Sequence, residues 1–520
     1  MNGKTFTIAR ADYKAVVIPA LKTIRSSTLT LLEEFASAGG TVLYLGTAPE
    51  YVDAVKSEKA KTAYGKFVNV DYKQLVDSLS KQYRRISLTD MDGNEIEPLL
   101  SHFSEFEKNL NLFICNTGIE MSDQPMARTM VRDRKLKFPT VKAAVTADGG
   151  KTLYEFDTLS GKIYEHPFVY VNGKYCFDTS FEELESRLFV LSEETIPEAI
   201  PAPGKLVPAD RRALTGIRST ILRDEPNVYI LDHADIVIDG VVEKQNEFIL
   251  LGDVFLREKL GAGPRCGHMF QPYLLPDTTP EKVLDLQLKY TFECQNAPET
   301  ECHLVIEHPE LYSICLNGKE LQKNDVGFWI DPVLRKLAIP AEFLQNGENQ
   351  LILSGKYHEN LPGLESIFIL GEFGVFENKI TKLPTTVEWG DWCVQGFPAY
   401  GGNFTYRMSV DAKKEGRTFL NIPEWRGSAV GVRINGSEEQ VLICPPFRVD
   451  LTDKLKYDGD DTVDICIYGH RRNVFGPFYS LEKWPSWTGP AQFKTRETDQ
   501  RQTVPCGILA EPYIETMKEV

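Results

Sequence analysis

Ala429-Val-Gly-Val-Arg-Ile-Asn-Gly436, followed by Pro445-Pro-Phe-Arg-Val-Asp-Leu451, is the stretch whose reading decides the fold. Apolar and polar residues alternate into an Asn-Gly pair, the strongest short-range signal for a β-hairpin. The chain runs on through a Pro-Pro edge, and Asp458-Gly459-Asp460 turns it back into a second alternating run, Val463 to Tyr468. The same plan occurs earlier. Leu311 to Leu316 meets Asn317-Gly318, two more short runs follow, and Asn346-Gly347-Glu348-Asn349 turns into Gln350-Leu351-Ile352-Leu353. The Asn-Gly pairs at 317 and 435 are 118 positions apart, about the size of one β-sandwich domain. The spacing predicts a tandem pair of related sandwiches.

Working outward, residues 1–120 alternate strand and helix. Ala15-Val-Val-Ile-Pro19, Thr41-Val-Leu-Tyr-Leu-Gly46 and Asn111-Leu-Phe-Ile-Cys115 read as buried strands, with a helix from Ser26 to Ala38 between the first two. Strands buried on both faces between helices imply a parallel, Rossmann-like sheet. Only three are present and no complete βα unit precedes the first, so the opening unit is expected to be missing and one apolar edge strand to be open. From about Val141 the hydrophobic period changes to two, giving a small β unit over 121–200. Ile196 to Pro208 carries four prolines and reads as a linker. Two β-rich regions, 201–383 and 384–515, complete a multidomain, mainly β chain.

A formal charge of −16 argues against nucleic acid or an anionic membrane as partner, because both require a basic surface. The ten cysteines are scattered without a Cys-x-x-Cys pair, which suits a reducing compartment. Neither a signal peptide nor a membrane-length apolar run is present, and a cytoplasmic location is expected.

Several candidate sites dissolve on their own spacing. Asp148-Gly-Gly-Lys-Thr152 ends like a phosphate-binding loop but has Val145 where that loop needs glycine, and reads as a turn. Cys115 lacks the flanking glycines of a nucleophile elbow (Phe113 and Thr117 stand there) and reads as a buried thiol. His303 and His308, five apart on a strand, face opposite sides and cannot share a metal. Asp458, Asp460 and Asp461 have the oxygen-rich look of a calcium loop but occupy the hairpin slot that Asn346 to Asn349 fill in the earlier copy. No metal or cofactor is called for. Trp389, Asp391, Trp392 and Tyr400, with Trp425 further on, admit two readings. Rings that stack on sugar C–H faces beside a carboxylate suit carbohydrate binding; rings of this density also cap sandwich cores. Catalytic carboxylate pairs of glycosidases usually sit on a (β/α) barrel of eight units, and no such barrel, hence no catalytic residue, is recognised.

The order of segments resembles the part of α-L-rhamnosidase-type glycoside hydrolases that follows the catalytic barrel. Tyr13 to Pro19, Ala38 to Gly46 and Leu112-Phe-Ile-Cys-Asn116 are similar to that family's Rossmann-like, amidotransferase-like domain. His102 stands where the family often has a His-Arg pair, although Phe103 follows here. Tyr154 to Gly161, Asn227-Val-Tyr-Ile-Leu-Asp232 and Glu365 to Phe373 resemble the succeeding β units. Gly396 to Gly401, Asn435-Gly436, Pro445 to Asp450 and Asn473-Val-Phe-Gly-Pro477 resemble a galactose-binding-like jelly roll. The resemblance implies a C-terminal portion of such an enzyme, its catalytic carboxylates on an upstream barrel in the same or another chain. Plant or microbial glycans are then the implied substrates of the whole. Three functions follow: a non-catalytic assembly bracing that barrel, a free-standing carbohydrate-binding protein using the Trp389/Trp392/Tyr400 face, or an active hydrolase with an unrecognised site between domains.

Overall fold

The two Asn-Gly turns form the same clasp twice. The computed structural model describes residues 5–9, 11–118, 136–202, 204, 206–214, 219–263, 279–481 and 488–519. Asn317-Gly318 and Asn435-Gly436 all take positive φ (50°, 78°, 51° and 73°), the conformation that Asn and Gly reach most cheaply. Asn317 Nδ2 donates to Asn349 Oδ1 at 2.8 Å and its Oδ1 accepts from Gln350 N at 2.8 Å. In the second copy Asn435 Nδ2 donates to Asp461 Oδ1 at 2.7 Å and its Oδ1 accepts from Thr462 N at 2.9 Å. Asp461 therefore fills the place of Asn349. It is fully buried, while Asp458 stays at the exposed tip, accepting from Asp460 N at 3.0 Å. The acidic triplet is a turn, with its last member in the core rather than in solvent.

Around these clasps stand two sandwiches. One packs a five-stranded sheet (Asn227–Leu231, Ile367–Gly371, Cys302–Glu307, Asp331–Ile339, Asp325–Trp329) on an eight-stranded one centred on Leu284–Cys294 and Gly347–Tyr357. The other packs a six-stranded sheet (Thr386–Val387, Ser219–Arg223, Phe404–Val410, Asp461–Tyr468, Ala429–Ile434, Gln440–Leu442) on a four-stranded one (Leu206–Ala213, Tyr513–Glu519, Arg417–Asn421, Arg448–Asp450). Their arrangement along the chain differs from a simple tandem. Leu206–Ala213 and Ser219–Arg223, expected in the earlier sandwich, pair with Tyr513–Glu519 and Phe404–Val410 of the later one. The earlier sandwich is thus inserted within the later. The first of these strands begins inside the proline-rich stretch, 196–208, that reads as a linker. Leu206–Ala213 is an edge strand whose register shifts between Pro208 and Asp210, the two settings in which a strand tolerates proline.

The segment Asn227–Leu231 and the segment Ile367–Gly371 are buried at every residue. Tyr229, Leu231, Ile367 and Ile369 face the core of their own sandwich. Val228, Ile230, Phe368 and Leu370 face Ala399, Val474, Phe478 and Tyr479 of the other. An antiparallel sheet with one wet face would alternate; these runs do not, because the second sandwich covers the outer face.

The N-terminal parallel sheet has three strands, ordered Ala15–Ile18, Thr41–Tyr44, Val68–Asn69, with helices Ser26–Ser37 and Tyr72–Tyr83. The third strand differs from the one expected. Asn109–Asn116 instead lies antiparallel between Leu99–Phe106 and Ser186–Ser192. Its residues alternate in burial, with Leu110, Leu112 and Ile114 inside and Phe113 outside, so the Leu-Phe-Ile-Cys run resembled a doubly buried strand without being one. Cys115 is half-buried. The sheet containing it packs against Val169–Val171, Lys174–Phe181, Phe138–Thr146 and Ile86–Thr89, making the β unit a sandwich whose core includes Val141, Phe177 and Phe189. Asn116, buried at the strand end, donates to Leu136 O and Glu182 O. In the turn at Asp148 to Thr152, Lys151 Nζ is held by Glu193 at 2.8 Å. Among the described residues no sheet closes into a barrel, and no helix is long and apolar enough to cross a membrane.

Two outcomes follow. Burial raises the Asp461 carboxyl, but the N–H groups of Lys456 and Tyr457 and the Asn435 amide hold it below the usual range. Its stabilisation is therefore present above the unfolded carboxylate value and is lost as pH falls through the lower folded one. Asp461→Ala is expected to cost about 3 kcal/mol in urea unfolding at pH 7, a deficit that narrows below about pH 4. Separately, Ala15–Ile18 has a strand partner on one side only among the described residues, and Val17 is exposed. Such an edge templates self-association, so sedimentation is expected to show dimer or larger species that Val17→Lys shifts toward monomer.

Candidate functional site

The expected sugar platform is built differently from an open binding face. Trp392 is fully buried in the later sandwich, stacked on Phe404 with ring centroids 4.7 Å apart and planes at 25°. Tyr400 is also buried, its hydroxyl donating to Asn403 O at 2.8 Å and lying 3.2 Å from Asp224 Oδ1. Neither ring presents a face to solvent, which corrects the expectation that they stack on sugar. The cause is Gly396 (φ 98°) at the end of the short helix Trp392–Gln395, which folds the aromatic loop inward over the sheet. Trp389 is half-buried, donating from Nε1 to Leu214 O at 2.8 Å. Trp425 is half-buried edge-on to Phe447 at 5.0 Å. Asp391 caps the short helix, one carboxylate oxygen accepting from Cys393 N at 2.9 Å and Cys506 N at 3.0 Å. The sequence brings these residues together; the structure makes most of the assembly core and cap.

A cavity of ligand dimensions lies where the two sandwiches meet. About 560 Å³ is enclosed by the helix Ile249–Leu260, the loop 330–334, the loop 362–366 and the segment around Phe475 and Phe493, within the ~300–1,000 Å³ typical of small-molecule sites. Its floor is Leu334, Phe368 and Val474, and Phe475 stands at its wall, its ring edge-on to Phe368 at 5.8 Å. Its charged lining is Asp253, Glu307, Asp331, Glu365 and Lys494. Asp253, which is buried, accepts from Tyr357 OH at 2.6 Å and Leu364 N at 3.1 Å and so fixes the 362–366 loop. Burial, reinforced by the Asp331 carboxylate, raises Glu307 above the ordinary glutamate value. Aromatic rings and carboxylates lining one cavity are the chemistry that grips a ring with an apolar face and peripheral hydroxyls. None of these residues stands out in sequence. Phe475 lies in a segment identified by resemblance, while Glu307 and Asp331 are ordinary strand-end carboxylates until the insertion places Phe475 in the same cavity lining.

The cleft is held in shape by a buried polar joint. Asp232 accepts from Arg501 Nη2 at 2.7 Å, Tyr479 OH at 2.8 Å and His233 Nδ1 at 3.0 Å. Burial opposes its charge, but the Arg501 guanidinium prevails and keeps the carboxyl below the usual range. Nearby, Asn227 Nδ2 donates to Phe373 O and Gly396 O, both at 2.8 Å, and Arg471 pairs with Glu225. Among the described residues no three His, Cys, Asp or Glu side chains are placed to hold a metal ion.

Removing one member of a buried pair strands the other. Asp232→Ala is expected to cost about 3 kcal/mol and to split a shared thermal transition of the two sandwiches into two, read by calorimetry. Trp392→Ala is expected to lower stability by about 3–5 kcal/mol, as for any large core ring, instead of selectively removing sugar affinity.

No protein-family model and no curated protein matches this sequence. Among solved structures, the chain is similar to a rhamnosidase from Novosphingobium sp. PP1Y, at 10% identity over 99% of this chain and 35% of that one, with a TM-score of 0.46. It is similar to an α-L-rhamnosidase from Streptomyces avermitilis complexed with L-rhamnose, at 12% identity over 73% of this chain and 38% of that one, TM-score 0.19. An exo-carrageenase from Bacteroides ovatus matches at 15% identity over 35% of this chain and 22% of that one, TM-score 0.21. The chain thus spans little more than a third of the length of either rhamnosidase.

Proposed function

We propose that this chain is the non-catalytic C-terminal assembly of a large exo-acting glycoside hydrolase of α-L-rhamnosidase type. In this reading it braces a catalytic barrel carried upstream, in the same or another chain, and contacts carbohydrate in the cleft between the nested sandwiches. The observation that carries it is the pair of strands Asn227–Leu231 and Ile367–Gly371, buried on both faces, which joins two sandwiches into one block. Such a block suits a brace, and its cleft has the size and the aromatic-plus-carboxylate lining for a sugar ring. The order of sequence segments that resembles the post-barrel part of the family supports the same reading. The free thiols of all described cysteines fit a reducing compartment. The functional divisions proposed are the parallel α/β unit, the first sandwich, and the nested pair acting together.

One observation favours a second reading. Glu307, raised by burial beside Asp331, has the environment of a general acid, as a hydrolase active between domains would need. A single set of assays separates the two. The purified chain, titrated calorimetrically with a panel of monosaccharides and plant and microbial oligosaccharides, is expected to bind without cleaving, and Phe475→Ala is expected to weaken binding at least about tenfold while staying folded. Glycoside hydrolysis by the chain alone, abolished in Glu307→Gln, would replace the bracing role with the second reading. Absence of binding across the panel would remove the sugar-contacting part.

A further inference from the structure

Cys393 and Cys506 are far apart in sequence but clamped together at one point. Both backbone N–H groups donate to the same oxygen of Asp391, at 2.9 and 3.0 Å, and Trp392 N donates to Cys506 O at 2.9 Å. Both thiols donate to one carbonyl, Val504 O, at 3.6 Å from Cys393 and 3.7 Å from Cys506, and Asn473 Nδ2 donates toward both sulfurs, at 3.3 Å to Cys393 and 3.6 Å to Cys506. His470 Nε2 lies 3.1 Å from the Cys506 sulfur. The Arg472 N–H donates to His470 Nδ1 at 3.3 Å, so the ring proton is on Nε2 and points at that sulfur. Cys506 thus faces an imidazole N–H and an amide N–H, two donors that favour negative charge on it. The neighbouring Cys393 thiol, then His470, hold Cys506 below the ordinary thiol value despite burial, whereas Cys393 is pushed up. Elsewhere a second neighbouring pair, Cys294 and Cys302, is equally buried, yet burial raises its thiols to about 11 and about 12.

We propose that Cys506 and Cys393 form a dithiol site for hydrogen peroxide, Cys506 being the sulfur that attacks the peroxide and Cys393 the one that resolves the product. Cys506 Sγ displaces hydroxide from the peroxide. The O–O bond breaks, a sulfenic acid forms on Cys506, and the departing hydroxide takes a proton from solvent to become water. Cys393 Sγ then attacks the Cys506 sulfur; the S–O bond breaks, the S–S bond forms, and the second hydroxide leaves as water with the Cys393 thiol proton. The pair loses two electrons and one peroxide becomes two waters. Cys506 is buried and His470 beside it half-buried, so in this proposal peroxide reaches the sulfur past the imidazole through a local opening. The resulting bond would lock the turn Trp392–Gln395, and with it the Trp392 ring, to the strand Gly507–Ile508.

The test needs no variant. The full chain is exposed to hydrogen peroxide for increasing times, denatured, alkylated with N-ethylmaleimide, and digested without reduction for mass spectrometry. A Cys393–Cys506 cross-linked peptide, reversible by dithiothreitol and formed at least about tenfold faster than any oxidation of Cys294 or Cys302, is the expected result. His470→Ala is expected to slow it about tenfold. Full alkylation of both Cys393 and Cys506 after exposures that oxidise Cys294 or Cys302, or a rate no faster than theirs, would overturn the proposal. That comparison stands even if the His470 variant does not fold.

Discussion

The buried carboxylate of Asp232 is the point on which the large C-terminal block depends. It sits between two strands of one sandwich and takes its cationic partner, Arg501, from the other. A lone carboxylate in that place would carry a desolvation penalty of several kcal/mol. Arg501 and Tyr479 offset it only when the later sandwich is closed around the earlier one. The joint therefore fixes geometry more than it adds stability, and the apolar contact of Val228, Ile230, Phe368 and Leu370 with Val474 and Phe478 provides the attraction.

Given that joint, the site follows. The loop carrying Asp331 and the helix end carrying Phe475 belong to different sandwiches, and the cleft exists because their separation is fixed. Asp253 does the same on a smaller scale, holding Leu364 N and Tyr357 so that the loop bearing Glu365 lines the opening. The aromatic residues most conspicuous in the sequence serve the layer beneath. Trp392, Phe404 and Tyr406 fill the later core, and Asp391 spends its carboxylate on capping and on tying two distant cysteines together.

Much of the fold was legible in sequence because local rules and tertiary structure agree there. Asn317-Gly318 and Asn435-Gly436 are turns for reasons that lie within a few residues, and the equivalence of Asn349 and the 458–461 turn followed from pattern alone. Where the reading missed, a long-range partner decided. Asn111 to Cys115 looks doubly buried until its antiparallel neighbours are known, and Leu206 to Pro208, read as the end of a linker, opens a strand whose partner is Tyr513–Glu519. The cleft was illegible for the same reason: no periodicity in the chain announces that residues 307, 331 and 475 will converge.

The nested order also constrains how the molecule is made. Leu206–Ala213 emerges from the ribosome early, yet the strand that completes its ladder begins at Tyr513. At ~5–20 residues per second, synthesis of the intervening chain occupies roughly 15–60 s. For all of that interval Leu206–Ala213 lacks its partner, whereas the inserted sandwich, whose last strand ends at Thr381, has all of its own strands before the ladder can close. Assembly on the ribosome must therefore run from the inside outward, the inner unit providing the surface on which the outer one closes.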